Sequence, residues 1–212
     1  MTMLSLFAGI DKNGITRFVG DVERGLACDC FCDACGSPLV ARREEVREWH
    51  FAHEARQERP ECIAGALNLL RRMAIEHLSS RSSLQLPVYR ETLTAQHNLS
   101  RFSETAEWMA QPMNVDGWSL HPPKLSPAVR TELDNGAQVD LYVEVGSSPV
   151  IERRSTCNEI GELLFWIPMP QAEQLRSHEL AQQHIACAGQ MVWVHQPDAL
   201  GFGSCQGSCR PK

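Results

Sequence analysis

Along this chain the apolar positions come in short runs separated by turn-forming residues, except for one stretch where they recur at helical spacing. Residues 4–10 and 15–19 are apolar runs joined by Asp11-Lys12-Asn13-Gly14. Asn-Gly favours a tight hairpin there, because both residues tolerate positive φ. From about residue 60 to 79, Ile63, Leu67, Leu70, Met73, Ala74 and Leu78 recur every three or four positions, which predicts a helix whose first turn suits Pro60. Residues 84–93 read as a strand. Residues 94–136 are polar and proline-bearing, with Trp108 and Trp118 inside, and read as a long insertion with room for one short helix. Residues 139–145 and 150–154 then read as two strands around Gly146-Ser147-Ser148-Pro149, and residues 163–167 as a third. Residues 171–188 are helix-like, with Gly189 as the C-cap, and residues 191–195 form a last strand. The expected class is α/β in the α+β sense. It has a hairpin and metal-binding module over 1–58, a mixed sheet flanked by helices over 59–196, and a flexible Gly/Ser/Pro-rich tail over 197–212.

Composition narrows this picture. The chain has 212 residues, 43% of them hydrophobic, enough for a packed core and against wholesale disorder. No apolar run approaches the roughly 20 residues that cross a bilayer. The apolar start has no basic flank before Lys12, so it reads as a strand rather than an export signal. The nine cysteines are an odd number, and Cys28, Cys30, Cys32 and Cys35 crowd together. Metal binding in a reducing cytoplasm accounts for them better than a disulfide framework does. The net charge of −6 counts against tight, non-specific duplex binding, which rests on phosphate contacts, but leaves room for a local basic patch.

The sharpest chemical signal is Cys32-Asp33-Ala34-Cys35-Gly36 followed by His50-Phe51-Ala52-His53. Two thiolates three residues apart reach one tetrahedral ion, and glycine gives the turn its room. Cys32, Cys35, His50 and His53 together make a closed S2N2 set suited to structural zinc. Cys28 or Cys30 stands close enough to replace a histidine. A thioredoxin-like redox pair fits less well, because the flanking pattern is not strand–Cys-x-x-Cys–helix.

With these motifs on view, the sequence resembles the CoiA-like competence protein family. The residues that carry the resemblance are Cys32-Asp33-Ala34-Cys35-Gly36, Trp49-His50-Phe51-Ala52-His53 and the helix containing residues 68–78, with Val139-Asp140-Leu141 and Met191-Val192-Trp193-Val194 fitting later elements. The resemblance implies a zinc module followed by a restriction-endonuclease-like domain of the PD-(D/E)xK type. In such nucleases acidic residues hold magnesium and a lysine orients or activates water. Asp140 and Glu152 fill the acidic positions and Arg154 stands where the lysine belongs; Glu144, on the face of Asp140, is a further acid. Arginine keeps its proton and is a poor base. The chain's three lysines, Lys12, Lys124 and Lys212, all lie elsewhere. A second register places the motif at Phe165-Trp166-Ile167, which carries no acid. On the helix, Leu67, Arg71 and Ile75 occupy positions where relatives carry glutamate, histidine and lysine. The fold is expected to be retained and the catalytic set eroded, with magnesium required only if cleavage survives.

Other features are weaker. Arg42, Arg43, Arg47, Arg56, Arg59, Arg71, Arg72 and Arg81 gather around the zinc module and can track phosphates, but interleaved glutamates make a mixed-charge solvated face the simpler reading. Cys205 and Cys209, with Cys187 or His195, are candidates for a second metal site, although a thiol tail without paired histidines is the plainer account. The expected partner is nucleic acid or a nucleic-acid-binding protein complex, not a membrane. Three readings follow: a competence- or mobile-element-related nuclease-fold protein with weak or no cleavage, a protein-binding inhibitor or adaptor on a dead nuclease scaffold, and an active magnesium-dependent DNase.

Overall fold

The computed structural model describes residues 5–44, 48–55, 59–97, 100–109, 111–121, 128–154, 157 and 159–196. The class is α+β, with two α-helices among the described residues. The chain divides into two compact units, one of residues 1–78, 143–148 and 166–190, the other of residues 79–142, 149–165 and 191–212. The helix expected to open the second domain thus belongs to the first unit.

In the first unit, strands β1 (Ala8–Asp11), β2 (Thr16–Phe18), β3 (Gly25–Phe31), β4 (Pro38–Arg42) and β5 (His50–His53) form an antiparallel sheet of order β2-β1-β3-β4-β5. The hairpin expected at residues 11–14 is present, but only Gly14 takes positive φ (77°). Gly14 N–H returns to the Asp11 carbonyl at 2.9 Å, and the Asp11 carboxylate accepts from the Asn13 and Ile15 amides, so one left-handed residue completes the turn. Strand β3 is irregular between Gly25 and Cys30, where Asp29 sits at φ 47°. Phe18, Leu39 and Phe51 fill the core beside this sheet.

Helix α1 (Pro60–Ser79) has the expected bounds. Its buried face runs through Cys62, Gly65, Ala66, Leu69, Leu70, Met73 and Leu78, while Ile63 and Leu67 are only half-buried. The second helical stretch breaks in two. A 3-10 turn (Ala172–Leu175) precedes α2 (His178–Ala188), whose N-cap Ser177 is extended at φ −138° and accepts the Leu180 amide on its hydroxyl. Gly189 ends α2 in an extended conformation, φ −62°, not the left-handed one expected.

The remaining strands are β6 (Ser83–Leu86), β7 (Tyr89–His97), β8 (Ser100–Trp108), β9 (Gln111–His121), β10 (Ala128–Leu133), β11 (Gln138–Gly146), β12 (Ile160–Pro168) and β13 (Gln190–His195). Six of them form a mixed sheet of order β13-β12-β11-β10-β9-β6, and β7 and β8 make a separate antiparallel ribbon. Two expectations are corrected here. Residues 94–136 hold the last four residues of β7 and all of β8, β9 and β10 rather than a loop-like insertion with a helix. Residues 150–154 form no strand; Val150 and Ile151 are about half exposed, and with no sheet partner an apolar pair does not make a strand. The strand expected over 84–93 is divided between β6 and β7, with Pro87, which has no amide hydrogen to donate to a ladder, between them.

Candidate metal centre

Four side chains of the first unit converge: Cys32, Cys35, His53 and Cys62, whose ligand atoms all lie within 4.8 Å of one another. Cys32 and Cys35 sit on a knuckle between β3 and β4. Its backbone is fixed by Cys32 N–H to the Ser37 carbonyl at 2.9 Å and Gly36 N–H to the Cys32 carbonyl at 2.8 Å, and it turns through Gly36 at φ 70°. A side chain at Gly36 would be strained by that φ whatever the space around it.

His53 is the last residue of β5, paired with Leu39. Side chains alternate along a strand, so Phe51 and His53 share the buried face and His50 points the other way. His50 therefore does not join the group; its Nδ1 lies 2.8 Å from the Glu48 carbonyl oxygen. The S2N2 expectation is corrected at this position: the fourth member is a sulfur, from Cys62. Two residues three apart share a helix face but not a strand face, and the His50–His53 pair is on a strand.

Cys62 lies in the first turn of α1. Gly65, one turn later, lets the helix press onto the knuckle; a Cβ there would stand 2.9 Å from the Ala34 Cβ. Arg72 continues the contact with a 2.7 Å ion pair to Asp33. Three points thus dock α1 on the knuckle and carry Cys62 to it.

The spacing fits zinc. A tetrahedral ion with ordinary zinc bond lengths sets its sulfurs about 3.8 Å apart and a sulfur and an imidazole nitrogen about 3.5 Å apart. The Cys62 and Cys35 sulfurs are 3.9 Å apart, and Cys35 Sγ is 3.4 Å from His53 Nε2. Burial pushes the Cys32 thiol up to about 12, whereas the Ser37 hydroxyl and neighbouring amides and thiols bring Cys35 down to about 6. Without a cation the group is a crowded set of thiols with one favoured thiolate. A divalent ion would deprotonate the set and hold it, making a closed Cys3His site of structural type. Cys28 and Cys30 are not ligands. Their sulfurs face the Leu39 and Cys28 carbonyls at 3.1 Å, and burial beside Cys28 pushes Cys30 up to about 12.

The residues expected to form a magnesium site are arranged differently. Asp140, on β11, is buried and held on both oxygens by Arg130 of β10, at 2.7 and 2.8 Å. Glu152 is exposed in the irregular segment after β11. Arg154 stacks its guanidinium 4.5 Å from the Tyr142 ring centroid, and its amide donates to Glu162 at 2.8 Å. Glu162, on β12, is the fully buried acid that the sequence reading passed over. It stands at the head of a Glu162-Leu163-Leu164 run, with leucine where a Glu-x-Lys pattern carries lysine. Burial and the Asp140 and Glu162 carboxylates raise the Tyr142 phenol, while Arg154 and Arg130 oppose them. Two acids and two arginines surround Tyr142 with no net charge. Leu67 and Arg71 on α1 are half-buried and Ile75 is buried, consistent with a packed helix. The Trp118 indole donates to the Arg81 carbonyl at 3.1 Å. The side chain of Trp108 and the residues Cys205 and Cys209 lie outside the described set. No helix among the described residues is long and apolar enough to cross a membrane.

Comparison with known proteins finds no matching family model, no matching curated protein and no matching solved structure.

Proposed function

We propose that this chain is a zinc-stabilised, nuclease-fold protein of the CoiA-like kind, related to competence or mobile-element DNA processing, that binds rather than cuts. In this reading residues 32–62 hold one structural zinc ion, and the mixed sheet is a restriction-endonuclease-like scaffold whose catalytic set has been replaced. One observation carries it: the Asp140 carboxylate is engaged on both oxygens by Arg130, so its charge is already balanced by a guanidinium with which a magnesium ion would have to compete. Glu152 does not lie on the sheet, and Arg154 cannot act as a base. The partner is nucleic acid or a nucleic-acid-binding protein complex in the cytoplasm, and a chain of net charge −6 suits a basic protein surface.

A magnesium-dependent DNase on the same scaffold draws on a different observation, that Asp140 and Glu162 come from neighbouring strands and are both buried. One experiment separates the two. Zinc-loaded protein is incubated with plasmid and single-stranded DNA in magnesium or manganese, beside Asp140→Ala and Glu162→Ala, and native complexes are recovered in parallel. The binding reading expects no cutting above the variants, and recovery of a stoichiometric nucleic-acid-binding partner. Metal-dependent cutting that disappears in both variants would establish the enzyme instead.

A further inference from the structure

We propose that Arg43, Arg176 and Trp49 of the first unit form a phosphate-binding site. It lies apart from the zinc ligands and does not depend on the nuclease reading. Both guanidiniums rest on one indole: Arg43 lies 5.5 Å and Arg176 5.3 Å from the centroid of the Trp49 ring. A single tryptophan attracts a cation through its ring quadrupole, but two cations on one ring also repel each other. Among the described residues neither guanidinium has a carboxylate within ion-pair distance.

The acids nearby are otherwise placed. Asp21 accepts the His178 amide at 2.7 Å, at the start of α2. Glu48 and Glu173 are exposed and pair with neither arginine. The Arg43 fork is held in place, and Arg176 is anchored through its backbone. Arg43 donates Nε to the Val19 carbonyl at 2.8 Å, and its Nη2 is shut off from solvent with no acceptor. The Arg176 carbonyl accepts the Gly20 amide at 2.7 Å. Gly20 permits that approach, since a Cβ there would meet the same oxygen at 2.3 Å.

Residues 19–20 therefore fasten both arginines beside Trp49 while most of their N–H donors stay unused. An arginine has five such donors in a planar fork, matched to the oxygens of a phosphate. A phosphate would supply acceptors for the unused donors other than the shut-off Nη2 and offset the repulsion between the forks. It can come from a free phosphate or nucleotide, or from the backbone of a nucleic-acid strand.

The test uses the full zinc-loaded chain. Inorganic phosphate, pyrophosphate and a short single-stranded oligonucleotide are titrated by calorimetry, and the Trp49 indole N–H is followed by NMR after assignment with Trp49→Phe. Binding should shift that resonance. Arg176→Gln should weaken it at least about tenfold and Arg176→Lys by less, because lysine keeps the charge and loses the fork. Arg43→Gln should act like Arg176→Gln; because it also removes the Val19 contact, unchanged zinc content and circular dichroism are required of it, and Arg176→Gln carries the test if they fail. Strong binding of the oligonucleotide, weakening linearly with log salt, identifies a strand as the source. Binding of phosphate or pyrophosphate without the oligonucleotide identifies a small ligand. No binding of any probe at millimolar concentration, or binding that Arg176→Gln leaves unchanged, overturns the proposal.

Discussion

Among the described residues, the Cys32–Cys35–His53–Cys62 group and the acids Asp140 and Glu162 of the sheet differ in what already balances them. In the knuckle group, Cys32, Cys35, His53 and Cys62 face one another with ligand atoms within 4.8 Å and no cationic side chain among them. In the sheet group, Asp140 and Glu162 are both buried, yet Arg130 grips the first and Arg154 donates its amide to the second. A set of thiols and an imidazole at tetrahedral spacing gains most of its stabilisation from an added divalent ion. A carboxylate already bonded twice to a guanidinium would have to lose that pair first. Residue types alone would make both groups metal sites; the neighbouring charges separate them.

Breaking the knuckle group should have the largest effect. Removing zinc with a chelator is expected to unfold the first unit, and Cys62→Ser to lower zinc affinity at least about 100-fold, since outer partners of a metal site already account for about 10–100-fold and a direct ligand exceeds them. His50→Ala should keep one zinc per chain. Elemental analysis with thermal melts checks both. A zinc content lost in His50→Ala and kept in Cys62→Ser would restore the S2N2 assignment.

The sheet group should respond as structure rather than chemistry. Asp140→Asn leaves Arg130 without its charge partner in a mostly buried position and should cost about 2 kcal/mol in urea unfolding, less than the 3–5 typical of fully buried pairs. Glu152→Ala, at an exposed and irregular position, should stay within about 0.5 kcal/mol. Equal losses at the two positions would mean that they act together after all.

How much of this could be read beforehand depends on which interactions fix each part. The bounds of α1 were legible because Pro60 and a 3.6-residue apolar repeat are local signals. The Cys-x-x-Cys knuckle was legible for the same reason. His53 was found but its partner was mistaken, because choosing between His50 and Cys62 requires knowing that residues 50–53 are a strand and that α1 docks on Ala34. Cys62 had one overlooked cue, a cysteine in the first turn of a helix directly after the motif. The strands within 94–136 were hidden because polar residues such as Ser103, Thr105 and Glu107 of β8, all exposed, leave few apolar positions from which an alternation could be read. Asp140 was identified as an acid on a strand, but its pairing with Arg130 comes from the register Arg130↔Asp140, which no sequence spacing reveals.

A smaller effect tests how tightly α1 defines the knuckle. Gly65→Ala raises helix propensity by about 1 kcal/mol, which favours the variant. It also places a methyl group 2.9 Å from the Ala34 Cβ and 3.3 Å from the Ala34 amide nitrogen, on a backbone held by flanking metal ligands. Overpacking of this kind costs about 1–3 kcal/mol, so the steric term should win by about 1 kcal/mol. The loss should be accompanied by weaker zinc retention in a chelator competition. A variant more stable than the parent would show that α1 can slide without disturbing the ligands.

The smallest expected effect compares the Asp140–Arg130 pair with a surface counterpart. Asp11 also meets an arginine twice, receiving Arg17 Nε at 3.0 Å and Nη2 at 2.8 Å, but beside the hairpin turn, where the Arg17 side chain is 41% exposed against 29% for Arg130. The Ile15 amide lowers its carboxyl below the ordinary value of 3.8, helped by Arg17 and the Asn13 amide. A carboxyl lowered in the folded state binds its proton more readily when unfolded. Its contribution is therefore complete above the unfolded value and is lost as pH falls through the folded one. Asp11→Asn should accordingly show a small, constant destabilisation from neutral pH down to about pH 5, which shrinks as the pH falls through and below 3.8. Added salt should reduce it, because exposed ion pairs are screened, while the Asp140→Asn loss should hardly change. Urea unfolding of both variants at two ionic strengths, with the Asp11 series continued into acid, checks this. A salt-insensitive Asp11→Asn, or a salt-sensitive Asp140→Asn, would reverse the assignment of which pair is sheltered from solvent.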